Sequence, residues 1–170
     1  MNKLAIYAGT FDPPTIGHVW MIEQGAALFD ELNVVVGINP DKRCMFSVEE
    51  RLEMLRESTE SLPNITIGSY TNQFLMNYAQ SVGAQFMLRG IRTGSDFEYE
   101  RAMRNINGDL NPSLMTVFLI PPRNIAEVSS SLVKGLIGPM GWENIVRRYL
   151  TEPVFLKLKA AHEAKNNKPD

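Results

Sequence analysis

Apolar positions along this chain gather into short continuous runs, and between the runs they change to helical spacing. Leu4, Ala5, Ile6, Tyr7 and Ala8 form the first run, and others follow at Leu32 to Ile38, Ile65 to Ile67, Gln85 to Leu88 and Met115 to Ile120. Unbroken apolar runs of this length suit strands covered on both faces, as in a parallel sheet, better than the alternation of a half-exposed strand. After the first run, Val19, Met21, Ile22, Ala26 and Phe29 restore a helical pattern. Ser47-Val-Glu-Glu50 and Ser95-Asp-Phe-Glu98 each place an acid three residues after a serine, the capping-box pattern, and predict that helices begin there. Strands alternating with helices predict an α/β fold, a Rossmann-like doubly wound parallel sheet of about five strands.

In such a sheet, ligands bind beyond the carboxyl ends of the strands, close to the point where the strand order reverses. Thr10 to His18 follow the first strand, Asn39 to Lys42 the second, Arg89 to Arg92 the fourth and Pro121 to Ser131 the fifth. Connectivity alone therefore brings four polar clusters to one edge, whereas loops without a common task would be divided between both edges.

Composition narrows the class. With 170 residues and 44 % hydrophobic content, the chain can bury one substantial core, so a single domain is expected over residues 1–162, with a charged tail from Glu163 to Asp170 expected to fray. The formal net charge of -2 argues against coating nucleic acid or an anionic membrane, so positive charge is to be sought in a cleft. Cys44 is the sole cysteine, which excludes an intrachain disulfide and a cysteine-rich metal site. No basic N-terminal segment leads into a long apolar stretch, and no apolar run approaches the ~20 residues that span a bilayer, so the expected compartment is the cytoplasm. Neither G-x-x-x-x-G-K-[ST] nor a G-x-G-x-x-G after the first strand is present.

The richest stretch is Gly9-Thr-Phe-Asp-Pro-Pro-Thr-Ile-Gly-His18. Pro13 and Pro14 cannot continue a strand, so the chain turns there and His18 falls in the first helical turn. A helix start offers unpaired N–H groups and partial positive charge, Gly9 and Gly17 open the backbone to a phosphate, Thr10 and Thr15 add hydroxyls, and His18 adds a ring nitrogen. The last four residues alone would equally serve an ordinary capped turn with a surface histidine. Further along, Asn39-Pro-Asp-Lys-Arg43 sets two cations beyond a strand end, where a solvated turn is the plain alternative. Arg89-Gly-Ile-Arg92 leads into Ser95-Asp-Phe-Glu-Tyr-Glu100, and arginine's planar fork fits a phosphate bidentately, unless these arginines simply pair with Asp96 or Glu98. Val128-Ser-Ser-Ser-Leu-Val-Lys134 puts three hydroxyls at a predicted helix start, which is also what a flexible cap looks like.

Together these segments resemble the nucleotidyltransferase superfamily with its (H/T)-x-G-H element, and phosphopantetheine adenylyltransferases most closely. Thr15 is the first residue of that element here, where nicotinate-nucleotide adenylyltransferases and glycerol-phosphate cytidylyltransferases usually carry His. R-G-I-R with D-F-E-Y-E, Phe46-Ser-Val-Glu-Glu-Arg51 and S-S-S-L-V-K are similar to further family segments, and the similarity runs from Leu4 to about Pro153. The family usually leads into the serines with an aromatic-rich W/Y-S/A-F, whereas this chain has Ile125-Ala126-Glu127, so adenosine packing is expected to differ in detail.

The resemblance implies transfer of the adenylyl group of ATP to 4'-phosphopantetheine, giving dephospho-coenzyme A and pyrophosphate in the penultimate step of coenzyme A biosynthesis. It implies His18, Lys42 and Arg92 as catalytic residues, and Thr10, Lys42, Leu75 and Arg89 as contacts of the phosphopantetheine. ATP would be held by Thr10, Phe11, His18, Gly90, Ile91, Arg92, Glu100, Ile125, Ala126, Glu127, Val128, Ser129, Ser130 and Ser131. Mg²⁺ would bridge phosphate oxygens, held mainly by nucleotide and water, with no protein metal ligand. A homohexamer with coenzyme A as feedback inhibitor is also implied. The rivals are another small-molecule nucleotidyltransferase of the same fold, a non-catalytic nucleotide sensor, and an RNA-binding relative, which the acidic composition disfavours. Trp20, Trp142 and the nine methionines are expected to be packing material, and His162 has no evident partner.

Overall fold

The computed structural model describes residues 2–38 and 43–166. Strand β1 (Leu4–Gly9) leads to helix α1 (Ile16–Leu28), then β2 (Glu31–Ile38), α2 (Val48–Ser58), β3 (Ile65–Thr71), α3 (Leu75–Ser81), β4 (Phe86–Gly90), α4 (Gly94–Leu110) and β5 (Met115–Leu119). The chain then closes with α5 (Ser130–Gly135), α6 (Trp142–Val146), a 3-10 turn at Arg147–Tyr149, and α7 (Glu152–Asn166). The strands form one parallel sheet in the order β3-β2-β1-β4-β5. The order reverses between β1 and β4, the place where a doubly wound sheet opens a crevice beyond its strand ends. The expected fold class is the observed one.

Alternation along the strands divides the core. Ala5 and Tyr7 of β1 pack with Leu32, Val34 and Val36 of β2 and with Met21, Ile22 and Phe29 on one face, whereas Ile6 turns to Met76, Ala79, Ala84 and Met87 on the other. A further apolar cluster joins Phe46 and Met54 to Val133, Trp142, Val146, Val154, Phe155 and Leu158, so the C-terminal helices are fastened to α2. Lys157 pairs with Glu53, and the hydroxyls of Ser58 and Thr151 bond at 2.6 Å across the same contact. Among the described residues no helix is long and apolar enough to cross a membrane.

Ser47 caps α2 with the expected reciprocal Glu50 bond. The expectation for α4 needs correction, because Thr93 and not Ser95 is its N-cap, accepting the Asp96 N–H at 3.1 Å. Thr93-Gly-Ser-Asp96 offers the same hydroxyl-to-acid spacing two residues earlier, and Thr93 has the extended backbone that a cap requires. Residues 163–166, expected to fray, continue α7. Lys159 faces Glu163 one turn on, and His162, expected to lack a partner, packs edge-on to Trp142 and bonds Asn166 at 3.1 Å. Met140 is fully exposed, so packing does not account for every methionine.

Candidate active site

The crevice at the switch point is lined by three adjoining cavities. The central one, about 220 Å³, is walled by Tyr7, Gly9, His18, Arg89, Gly90, Arg92, Glu100, Ile125 and Val128 among others. A second, about 430 Å³, is lined by Thr10, Phe11, Asp12, His18, Arg43, Cys44, Ser129, Ser130, Ser131 and Lys134. A third, about 170 Å³, is mostly apolar, with Phe74, Leu75, Met76, Met87, Met103 and Leu110 beside Arg89, Tyr99, Glu100 and Asn107. His18 stands in the wall between the first and second, and Arg89 with Glu100 in the wall between the first and third.

Local packing explains why β1 ends in this sequence. Phe11 is buried with φ +52, in the left-handed region that costs a non-glycine residue on the order of 1–2 kcal/mol. Its ring contacts Tyr7 and His18 edge-on, which offsets that cost. A methyl group at Gly9 would stand 2.9 Å from Phe11 Cζ, so the glycine makes room for the ring. Arg51, buried in α2, donates to the Thr10 carbonyl at 2.8 Å and to the Ser47 carbonyl at 3.1 Å, tying the loop to the helix behind it.

His18 is held in a definite protonation state. The Thr15 N–H donates to its Nδ1 at 3.0 Å within the cap of α1, so Nδ1 is the acceptor and the proton of the neutral ring sits on Nε2. Burial, and secondly the Arg92 charge, lower its pKa to about 4. At neutral pH the ring is therefore an uncharged N–H donor at the junction of two cavities.

Arg89 gives Nε (2.9 Å) and Nη2 to the two Glu100 oxygens and Nη1 to the Ala8 carbonyl at 3.3 Å. Burial opposes its charge, but the Glu100 bonds and charge outweigh burial and hold the guanidinium above its ordinary value. Glu100, expected to contact ATP, thus has both oxygens on Arg89 in this structure and orients it. Arg92 pairs with Asp96 at 3.0 Å, the partner that the plain reading gave it, while its side chain stays partly exposed at the crevice. Tyr7 keeps its phenol neutral, because burial raises its pKa more than Arg89 and Arg92 lower it.

Ser129 accepts the Leu132 N–H at 3.1 Å as the cap of α5, and Ser130 donates to the Pro13 carbonyl at 2.8 Å, joining the serine segment to the first loop across 117 residues. Ile125 and Val128 wall the central cavity, whereas Ala126 and Glu127 lie outside the walls of all three. Ile91 is buried and donates to the Leu119 carbonyl at 2.8 Å, fixing β4 beside β5. Lys42 lies outside the described residues. The structure thus brings Thr10, Phe11, His18, Leu75, Arg89, Gly90, Arg92, Glu100, Ile125 and Val128 to Ser131 to one crevice.

Sequence reasoning missed Asp12, Lys134, Arg51 and Tyr7 as parts of this site. Asp12 is buried, accepts the Met45 and Phe46 N–H groups at 2.9 Å, and pairs with Lys134 at 2.8 Å. Burial would raise its pKa, but Lys134 and the two N–H groups hold it below its ordinary value. Arg51 did carry a signal: it shares the face of Met54 and Leu55 at i+3 and i+4, an arginine on an apolar stripe.

The cytidylyltransferase-like family model matches residues 6–136. A phosphopantetheine adenylyltransferase of Chromobacterium violaceum is 60 % identical over 92 % of this chain and 95 % of its own length. The chain belongs to the phosphopantetheine adenylyltransferase family. A Neisseria meningitidis serogroup C member of the family is 54 % identical over 96 % of both chains, and one from Caldanaerobacter subterraneus is 47 % identical over 78 % of this chain and 82 % of its own. The fold extends beyond the family. Plasmodium falciparum nicotinic acid mononucleotide adenylyltransferase, solved in complex with NaAD, superposes with a TM-score of 0.66 over 96 % of this chain and 98 % of its own at 14 % identity.

Proposed function

We propose that this crevice transfers the adenylyl group of ATP to the phosphate of 4'-phosphopantetheine, releasing pyrophosphate and leaving dephospho-coenzyme A. The observation that carries the reading is the row of three cavities with a neutral histidine donor at one junction and a paired arginine at the other. The attacking phosphate is ionised at neutral pH, so no general base is needed, and an in-line displacement at the α-phosphorus requires only alignment and charge stabilisation. No covalent intermediate with the protein forms.

On this reading the Nε2–H of His18 donates to the α-phosphate oxygens as negative charge grows there, a role worth several kcal/mol in a site that excludes water. Thr10, Lys42 and Arg89 orient the attacking phosphate. Arg92, Phe11, Gly90, Ile125 and the segment from Val128 to Ser131 hold ATP, with Glu100 acting through Arg89 and the adenine packing on Ile125 where relatives carry an aromatic-rich lead. Leu75 and its apolar neighbours suit the elongated arm of the thiol substrate, with the Asn107 amide available to its polar groups. Among the described residues no cluster of three or more His, Cys, Asp or Glu could hold a metal ion, and Asp12, the carboxylate in the second cavity, is already engaged. On this reading Mg²⁺ would be carried mainly by phosphate oxygens and water, where it would offset the charge of the triphosphate.

The same reading has the chain work in the cytoplasm as a homohexamer inhibited by coenzyme A. Exposed Met115 and Ile120 at the sheet edge support contact between copies. Pyrophosphate release from ATP, measured with 4'-phosphopantetheine and separately with nicotinate mononucleotide, tests the reaction. Release with the first acceptor is expected, and release only with the second would overturn the substrate assignment.

A further inference from the structure

One buried carboxylate gathers three distant segments of the crevice. Asp12 is 3 % exposed and belongs to the first loop. Met45 N–H reaches both of its oxygens at 2.9 Å, Phe46 N–H reaches Oδ1 at 2.9 Å, and Lys134 of α5 reaches Oδ2 at 2.8 Å from 122 residues away. The loop itself does not yield, because Arg51 grips the Thr10 carbonyl and Ser130 grips the Pro13 carbonyl on either side of Asp12. Asp12 is thus a fixed post to which the chain at Met45 and Phe46 is tied.

Arg43 stands two residues before that anchor and lines the second cavity with Ser129, Ser130, Ser131 and His18. Two cations line that cavity among the described residues, Arg43 and Lys134, and the one carboxylate in its wall is Asp12. Asp12 engages Lys134. Among the described residues of the wall the positive charge of Arg43 is therefore in excess, on a side chain whose planar fork matches two oxygens of a polyphosphate. Lys134 has a separate consequence, since an unmatched carboxylate in this wall would repel an anionic ligand.

We propose that Asp12 is a positioning residue that fixes the backbone at Met45 and Phe46 so that Arg43 meets the leaving pyrophosphate portion of ATP, while Lys134 neutralises Asp12. The proposal rests on the adenylyl-transfer reading above. Arg43 binds; Asp12 acts through it.

Steady-state pyrophosphate release by the full chain tests this, with KM for each substrate and kcat measured for wild type, Arg43→Gln, Asp12→Asn, the double variant and Lys134→Met. Arg43→Gln should raise KM for ATP about 10-fold and leave KM for 4'-phosphopantetheine within about twofold. Asp12→Asn should raise KM for ATP by a smaller factor, and the double variant should match Arg43→Gln within about twofold, since a post with nothing to position has no further effect. Lys134→Met keeps both N–H bonds to Asp12 but uncovers its charge, and should raise KM for ATP about 5-fold with kcat retained. Multiplied effects of Asp12→Asn and Arg43→Gln would overturn the proposal, as would wild-type ATP binding in either Arg43→Gln or Lys134→Met. The last two variants keep the test decisive should Asp12→Asn fail to fold. Wild-type protein that releases no pyrophosphate at all would instead refute the reaction on which the proposal rests.

Discussion

Acidification should destabilise the protein through His18 over a defined window. In the folded chain burial, and then the Arg92 charge, lower the pKa of the imidazole from 6.5 to about 4, while in the unfolded chain it keeps its ordinary value. Above pH 6.5 both states hold a neutral ring, and His18 adds no pH dependence. Between pH 6.5 and about 4 the unfolded state takes up a proton that the folded state refuses, so stability falls as pH falls, and below about 4 the loss levels off. The full interval corresponds to roughly 3 kcal/mol, and because the ring is partly open to the crevice the expected loss is on the order of 2 kcal/mol. Urea unfolding at several pH values, for wild type and His18→Gln, reads this directly, since the amide cannot titrate. The stability advantage of wild type over the variant should shrink by about 1.5 kcal/mol between pH 7 and 4.5. In nitrogen-15 spectra His18 should remain neutral with its proton on Nε2 at pH 5.5. A ring that titrates near 6.5, with parallel pH profiles for the two proteins, would refute both the burial argument and the tautomer assigned from the Thr15 bond.

Arg89→Met removes the partner of the buried Glu100 carboxylate and should cost about 3 kcal/mol in denaturant unfolding, with Arg89→Met/Glu100→Met recovering most of it; a double variant no more stable than the single would contradict the pairing. Gly9→Ala forces the Phe11 ring to move and should lower stability by about 1–3 kcal/mol, visible as a fall in Tm, so an unchanged Tm would show that the ring is not confined. Ser130→Ala breaks the link to Pro13 and should weaken ATP binding about 5-fold in calorimetry, and unaltered affinity would remove the serine segment from the nucleotide site.

The central strands β1 and β2 were legible because they are buried on both faces and so appear as unbroken apolar runs, whereas the edge strands β3 and β5 are only half-buried; the edge on which the site lies followed from connectivity. Helix starts were legible where one hydroxyl and one acid stood alone, as at Ser47, and misread where two candidates competed, as at Thr93 and Ser95. The role of Glu100 as the partner of Arg89 was hidden, since two residues eleven apart meet only when a strand and the following helix pack together. Asp12 and Lys134 illustrate the same limit at 122 residues, because a buried carboxylate beside two prolines reads as a turn until its donors are seen. Residues 163–166 looked like a tail because charge suggests solvent, whereas charges one turn apart on a helix support one another.

Single-turnover pyrophosphate release from ATP and 4'-phosphopantetheine by wild type and His18→Ala tests the role of His18 most directly. Wild type should release pyrophosphate, and the variant should do so about 100-fold or more slowly with substrate affinities little changed. Equal rates in the two proteins would contradict the claim that the neutral Nε2–H at the cavity junction stabilises the transferring phosphate.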